Sequence, residues 1–240
     1  MAFGELLKNR WKRKGRKMLS QIKKILSLRI LDMGGVLFDE KGFTFNLHKE
    51  HPEVPLSPNY VELRGIFRDR VMRNMIAGLM MPVVMELRPD RLIDLPESIT
   101  PLVTTLSDLT GIEMISVRSE ALKGGVKDHG IKKVIVGDFR PDMTGLMIDD
   151  VVSGFAFTKF KAIPIIREAG LKLLPTVLVV VDREEGGAER LARDGFGLRS
   201  LLGLHSDITR VCHEAGFASE KILQMSQEFA EAVRGYALAS

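Results

Sequence analysis

"LMIDDVVSGF", residues 146–155, runs an apolar segment straight into two adjacent aspartates, then two valines and a Ser-Gly pair. A short apolar run bounded by polar residues reads as a buried strand. In an open α/β sheet, ligands bind at the carboxyl ends of the strands, so Asp149 and Asp150 stand where a ligand would be met. Neighbouring strand residues point to opposite faces, which keeps the two from sharing a metal ion on the strand itself. Where the chain turns, both can reach one polyhydroxylated ligand, and a carboxylate that accepts several hydrogen bonds suits a ribose diol. The loop beyond leads to a helix N-terminus, where backbone N–H groups favour a phosphate. Metal-binding acidic pairs and solvent-facing strand ends share this short pattern.

Outward from that strand, the chain alternates. "GFTFNL" and "PNYVELR" read as strands, the second ending at Arg64, and residues 66–81 as a helix. "RLIDLP", "IEMISVR", "KKVIVG" and "LPTVLVVVD" read as strands, with a helix over 101–110 that has Pro101 in its first turn. "SEALKGGVKDHG" has three glycines and no period, and reads as a loop. Residues 158–169 are helical, a further helix and the strand "LRSLLGL" follow, and helices over about 206–215 and 219–235 close the chain. Apolar strands alternating with helices make a parallel sheet covered on both faces. Its strand ends carry Asp94, Arg118, Asp149–Asp150 and Asp182–Arg183.

Charge is unevenly spread. Residues 1–24 hold nine Lys/Arg against Glu5, a net +8, so a total of +4 leaves −4 on the remaining 216 residues. The basicity belongs to an arm, taken as residues 1–21, and the body to 22–240. Leu7, Trp11, Met18, Ile22, Ile25 and Leu26 fall at helical spacing, and Gly34–Gly35 stops the helix. Such a stripe either meets an anionic surface or partner, or packs on the body or a second subunit. No apolar run approaches the ~18 residues of a membrane span, and "KNRWKRKGRK" sits where a secretory apolar region belongs. Cys212 is the one cysteine, which excludes an internal disulfide and a Cys-rich zinc site; a reducing, cytoplasmic compartment is expected.

"VLVVVDREEGG", residues 177–187, is the more specific signature. With "SPNYVELR", "KDHG" and the double aspartate, it resembles the orotate phosphoribosyltransferases, over about residue 22 to the C-terminus. The resemblance implies a type I phosphoribosyltransferase fold: a parallel sheet flanked by helices, with a small N-terminal hood (about 22–65), a core (about 66–205) and C-terminal helices (206–235). It also implies a dimeric transferase that converts orotate and phosphoribosyl pyrophosphate (PRPP), with Mg²⁺, to orotidine 5′-monophosphate and pyrophosphate in pyrimidine biosynthesis. Asp149 and Asp150 match the pair that holds the ribose hydroxyls. Arg183 matches the arginine that contacts orotate, and a planar guanidinium suits a carboxylate. Arg118, Lys127 and His129 match cationic positions in and beside a mobile loop, where cations stabilise departing pyrophosphate; Lys123 lies on the same loop. Ser153, Gly154 and Thr158 match parts of the 5′-phosphate loop. No protein metal ligand is implied.

The sequence departs from the family at several of these places. The phosphate loop reads "VVSGFAFTK", with Phe155 and Phe157 where close backbone approach is needed, one of them expected to pack inward. Pro164 falls inside the following helix, where it would cost about 3 kcal/mol unless the helix starts late, near Ile163. "DLPESITPLV" lacks the glycines usual in the pyrophosphate loop, His48 precedes Lys49 where a lysine is expected, and Ser119 replaces a common lysine. These changes motivate a second expectation: a PRPP- or nucleotide-binding regulatory protein with impaired catalysis.

Overall fold

A computed structural model describes residues 2–122, 133–155 and 157–239, with side chains for 17–122, 133–155 and 159–237. Helix α1 (Ala2–Asp32) runs unbroken through the basic arm. It ends where Gly34 takes a φ of +72° and the Gly34 and Gly35 N–H groups return to the carbonyls of Leu31 and Ile30. Leu26, Ser27 and Ile30 face the body, while Met18 and Ile25 stay 61% and 57% exposed. The apolar stripe is therefore split, and beyond Met18 only part of it packs on the body.

A small antiparallel hairpin follows, β1 (Val36–Phe43) with β2 (Ser57–Val61), and between them α2 (Leu47–Glu50). The strand expected over "GFTFNL" lies earlier: β1 ends at Phe43, and the next residues turn out of the ladder into α2. Their alternating aromatics serve packing instead, with the Phe45 ring 6.0 Å from Tyr60 and 6.3 Å from Phe229. The single helix expected over 66–81 is two, α3 (Arg64–Arg68) and α4 (Arg70–Leu87). Asp69 leaves helical dihedrals between them and caps α4, its carboxylate accepting from the Met72 N–H at 2.8 Å.

The core alternates as the patterning requires: β3 (Arg91–Asp94), α5 (Thr100–Thr110), β4 (Met114–Val117), α6 (Ser119–Leu122), β5 (Ile135–Val136), β6 (Thr144–Val152), α7 (Phe157–Glu168), β7 (Lys172–Asp182), α8 (Gly187–Arg193) and β8 (Gly197–Gly203). A π-helical turn (Leu204–Thr209), α9 (Arg210–Glu214) and α10 (Glu220–Ala239) complete it. Residues 119–122, expected in a loop, form the helical turn α6. Helix α7 does not start near Ile163; it begins at Phe157 and takes Pro164 inside, giving up one N–H donation.

The main sheet runs β5-β4-β3-β6-β7-β8, parallel throughout except for β5 at its edge. Period-two alternation on β7 divides the core. Leu178 and Val180 join Met72, Ile76, Met80 and Leu102 of α4 and α5 on one face; Val177 and Val179 join Ala162, Ile166 and Leu191 of α7 and α8 on the other. Each fully buried aliphatic side chain contributes about 1.5–3 kcal/mol relative to exposure. A third cluster, Val54, Phe229 and Val233 with Phe45 and Phe155, fastens the hairpin region to α10. The register aligns Asp149 with Val179 and Val152 with Asp182, so the polar ends of β6 and β7 leave the sheet at one edge.

Candidate active site

Asp149 is turned inward and buried, 5% exposed, and its Oδ2 lies 2.6 Å from the Nζ of Lys159, itself 2% exposed. Lys159, in the first turn of α7, also donates to the Val151 carbonyl at 2.6 Å, so one ammonium ties the strand end to the helix across the loop. The other oxygen of Asp149 accepts from the Asp150 N–H at 2.8 Å. Burial pushes the Asp149 carboxyl up to about 7; Lys159 pulls it down and Asp150 adds to the rise. Asp150 is half-buried, and its carboxylate accepts from the Val151 N–H at 2.7 Å. The two aspartates thus share a turn and occupy different environments, as strand alternation requires.

Beyond them, Ser153 lines a cavity of about 270 Å³ together with Phe45, Leu47, Phe155, Arg183 and Phe229. Phe155 packs inward, its ring 6.5 Å from His51. Gly154 is needed for close approach. A Cβ there would collide with the Glu185 carbonyl and come within 2.6 Å of the Ala237 Cβ. Thr158 lies in the first turn of α7, its side chain outside the described residues. Lys123, Lys127 and His129 also lie outside them.

Five of the six residues of "DREEGG" make contacts that fix the end of β7. Asp182 accepts from the Glu184 N–H at 2.8 Å, which holds Glu184 in the left-handed region at φ +59°. Glu184 in turn accepts from the N–H groups of His205 and Ser206, both at 2.8 Å, and caps the π-helical turn. The helix expected from about residue 206 thus begins as a π-helical turn at Leu204 before α9. Gly187 leaves room for Val152 and the Ser153 carbonyl. Arg183 lays its guanidinium 4.8 Å above the Phe45 ring and donates from Nε to Glu185 Oε1 at 2.9 Å. Its Nη2 is also 2.9 Å from that oxygen, but without a well-directed hydrogen bond. Glu185 is 2% exposed, and burial raises its carboxyl while Arg183 opposes the rise.

Arg118 leaves β4 half-buried, its Nε buried without a hydrogen-bond partner. Below it, Asp94 accepts from Thr100 Oγ1 at 2.7 Å and Ser116 Oγ at 3.0 Å, and burial raises its carboxyl. Ser119 donates to Glu97 at 3.2 Å, joining the segments after β3 and β4. His48 is held by the hairpin: its Nδ1 accepts from the Phe45 N–H at 2.9 Å, which makes Nε2 the donor to the Pro55 carbonyl at 3.0 Å. Among the described residues, no group of three or more His, Cys, Asp or Glu side chains is placed to hold a metal ion.

Sequence reasoning missed Lys159, Phe45 and Phe229. For Arg183 the sequence also allows a surface pair with Glu184 or Glu185; the pair with Glu185 forms, but buried. Lys159 had no signal, because its partner is set by the fold.

No family model matches the chain. It is 33% identical over 150 residues to uridine 5′-monophosphate synthase of Bos taurus, covering 62% of this chain and 30% of that one. It is 31% identical over 149 residues to orotate phosphoribosyltransferase of Aquifex aeolicus, covering 62% of this chain and 80% of that one. The structure of Leishmania donovani UMP synthase superposes with a TM-score of 0.70 at 24% identity, over 89% of this chain and 42% of that one, a likeness of fold. The chain therefore spans less than a third of the bovine protein's length.

Proposed function

This chain belongs to the orotate phosphoribosyltransferase family, and we propose that it transfers phosphoribosyl from PRPP to orotate. In that reaction the bond from C1′ of the ribose to pyrophosphate breaks and a bond from C1′ to the base nitrogen forms, giving orotidine 5′-monophosphate. The observation that carries the proposal is that Ser153, from the loop after Asp149–Asp150, and Arg183, from "DREEGG", line one aromatic cavity at the edge where β6 and β7 end. Asp150 holds the ribose hydroxyls, with Asp149 behind it. Ser153, Gly154 and Thr158 receive the 5′-phosphate, and Arg183 receives the base over Phe45. Arg118, Lys123, Lys127 and His129 act on the departing pyrophosphate. The work is positioning and electrostatics, because C1′ gains positive charge as pyrophosphate leaves.

Mg²⁺ belongs to this reading as a companion of PRPP. Asp149 is already paired with Lys159, which leaves Asp150 as the carboxylate of the pair that would face a PRPP-borne ion; the ion would supply neutralisation of the diphosphate charge. The dimer is supported by apolar side chains left in solvent on α4 and α5: Val71, Met85 and Leu109. Met18 and Ile25, exposed on a helix whose arm carries net +8 by sequence, support an anionic surface as a contact of residues 1–24. Cytoplasmic placement rests on Cys212, a buried free thiol; no helix among the described residues is long and apolar enough to cross a membrane.

The second reading, a PRPP- or nucleotide-binding regulator, is favoured by one observation: Asp149 is satisfied internally by Lys159. Turnover separates the two. Purified protein with orotate, PRPP and Mg²⁺ should release pyrophosphate, and Asp150→Asn should cut kcat/KM by at least about tenfold. PRPP binding without pyrophosphate release would instead assign the regulatory role.

A further inference from the structure

The base cavity has an unusual charge arrangement. Phe45, Leu47, Phe155, Phe229 and Val233 make its walls apolar, and its charged groups are Arg183, Glu185 and Glu50. Glu50, on α2, is exposed. Glu185 is not: it is buried under the loop, with its carboxylate on the Nε edge of the Arg183 guanidinium. That is the kind of group a carboxylated base would bring to the same arginine. Other charges around Glu185 do not relieve it. Asp182 on the same strand end raises it further, and Arg190 on α8 and Arg234 on α10 donate to the carbonyls of Gly154 and Glu184.

Resting on the proposed phosphoribosyl transfer, we propose that Glu185 is a specificity-determining residue of the base pocket: a carboxylated pyrimidine binds Arg183 only when Glu185 takes up a proton, whereas an uncharged pyrimidine binds without that cost. Two carboxylates on one guanidinium in an apolar cavity repel, and one of them must become neutral. The buried member is the one that yields, because leaving water has already raised its carboxyl.

The test is calorimetric titration of the full-length protein with orotate and with uracil, between about pH 6 and pH 8. In the wild type, orotate should weaken by up to about tenfold per pH unit above the Glu185 midpoint, while uracil stays flat. Glu185→Gln, which keeps shape and an acceptor for Arg183, should bind orotate about tenfold more tightly at the upper end and remove its pH dependence. Uracil affinity should not move. A flat orotate profile in the wild type overturns the proposal even if the variant does not fold. So does equal or weaker orotate binding by Glu185→Gln, which would mean that Glu185 only holds Arg183 in place, or no orotate binding by either protein. Failure of the transferase reading looks different: no pyrophosphate is released with any base, whatever the two titrations show.

Discussion

The ammonium of Lys159 lies 2.6 Å from Asp149 and 2.6 Å from the Val151 carbonyl, and both residues of the pair are almost fully buried. A buried pair offers little net stability over an apolar pair, but removing one partner leaves an uncompensated charge. Lys159→Met should therefore cost about 3–5 kcal/mol near neutral pH. The cost should depend on pH. With the Asp149 carboxyl near 7 in the folded chain, above its usual value of 3.8, the folded state holds a proton that the unfolded state has already lost. This group's contribution is fully present below its unfolded value and fades as pH rises through about 7. Without Lys159 the carboxyl rises further, so the penalty should grow through that range and be smallest in mild acid. Urea unfolding of both proteins at two pH values either side of 7 reads this directly.

Arg183 donates to Glu185 and stacks on Phe45. A lysine keeps the charge but loses the planar face and the fork of donors. Arg183→Lys should raise the KM for orotate by about tenfold or more, with the KM for PRPP changed by less than about twofold. Steady-state kinetics with each substrate varied in turn checks the split. An equal rise in both constants would place Arg183 outside the base site.

Gly154 sits against the Glu185 carbonyl, with the Ala237 Cβ 2.6 Å from where its own Cβ would be. Gly154→Ala should cost about 1–3 kcal/mol from overpacking and displace the loop that carries Ser153. Thermal unfolding should show the loss. Stability unchanged from the wild type would mean that α10 shifts freely at Ala237.

The alternation of apolar strands and helices was legible because a strand covered on both faces, such as β7, is an unbroken apolar run in the sequence, and "DREEGG" because it resembles a family signature. What escaped reading was set at long range. Asp149 looked like an open ligand; its burial and its partner Lys159 depend on how α7 folds back over β6. "GFTFNL" alternates as a strand does, yet β1 ends at Phe43 and Phe45 reaches Phe229 on the far C-terminal helix. Residues 66–81 have a helical period on both sides of Asp69, and only the cap geometry shows the break. The stripe on α1 was read from spacing alone, and spacing does not say which side of a helix meets the body.

That last point leads to the arm. Leu26 and Ile30 are buried, Lys23 bonds Asp207 at 2.7 Å, and Met18 and Ile25 point to solvent. Among the described residues, α1 is fastened to the body through Leu26, Ser27 and Ile30 in its second half. A protein lacking residues 1–18 should turn over orotate and PRPP at the wild-type rate. The full chain should sediment with vesicles rich in anionic lipid and release as salt rises, since each basic residue near such a surface contributes about 1 kcal/mol and is screened over about 10 Å at 0.1 M salt. The shortened chain should stay in the supernatant. Sedimentation that survives the deletion would assign the surface to the body, and binding to RNA but not to vesicles would assign the arm to a nucleic acid, where exposed Met18 and Ile25 would have no task.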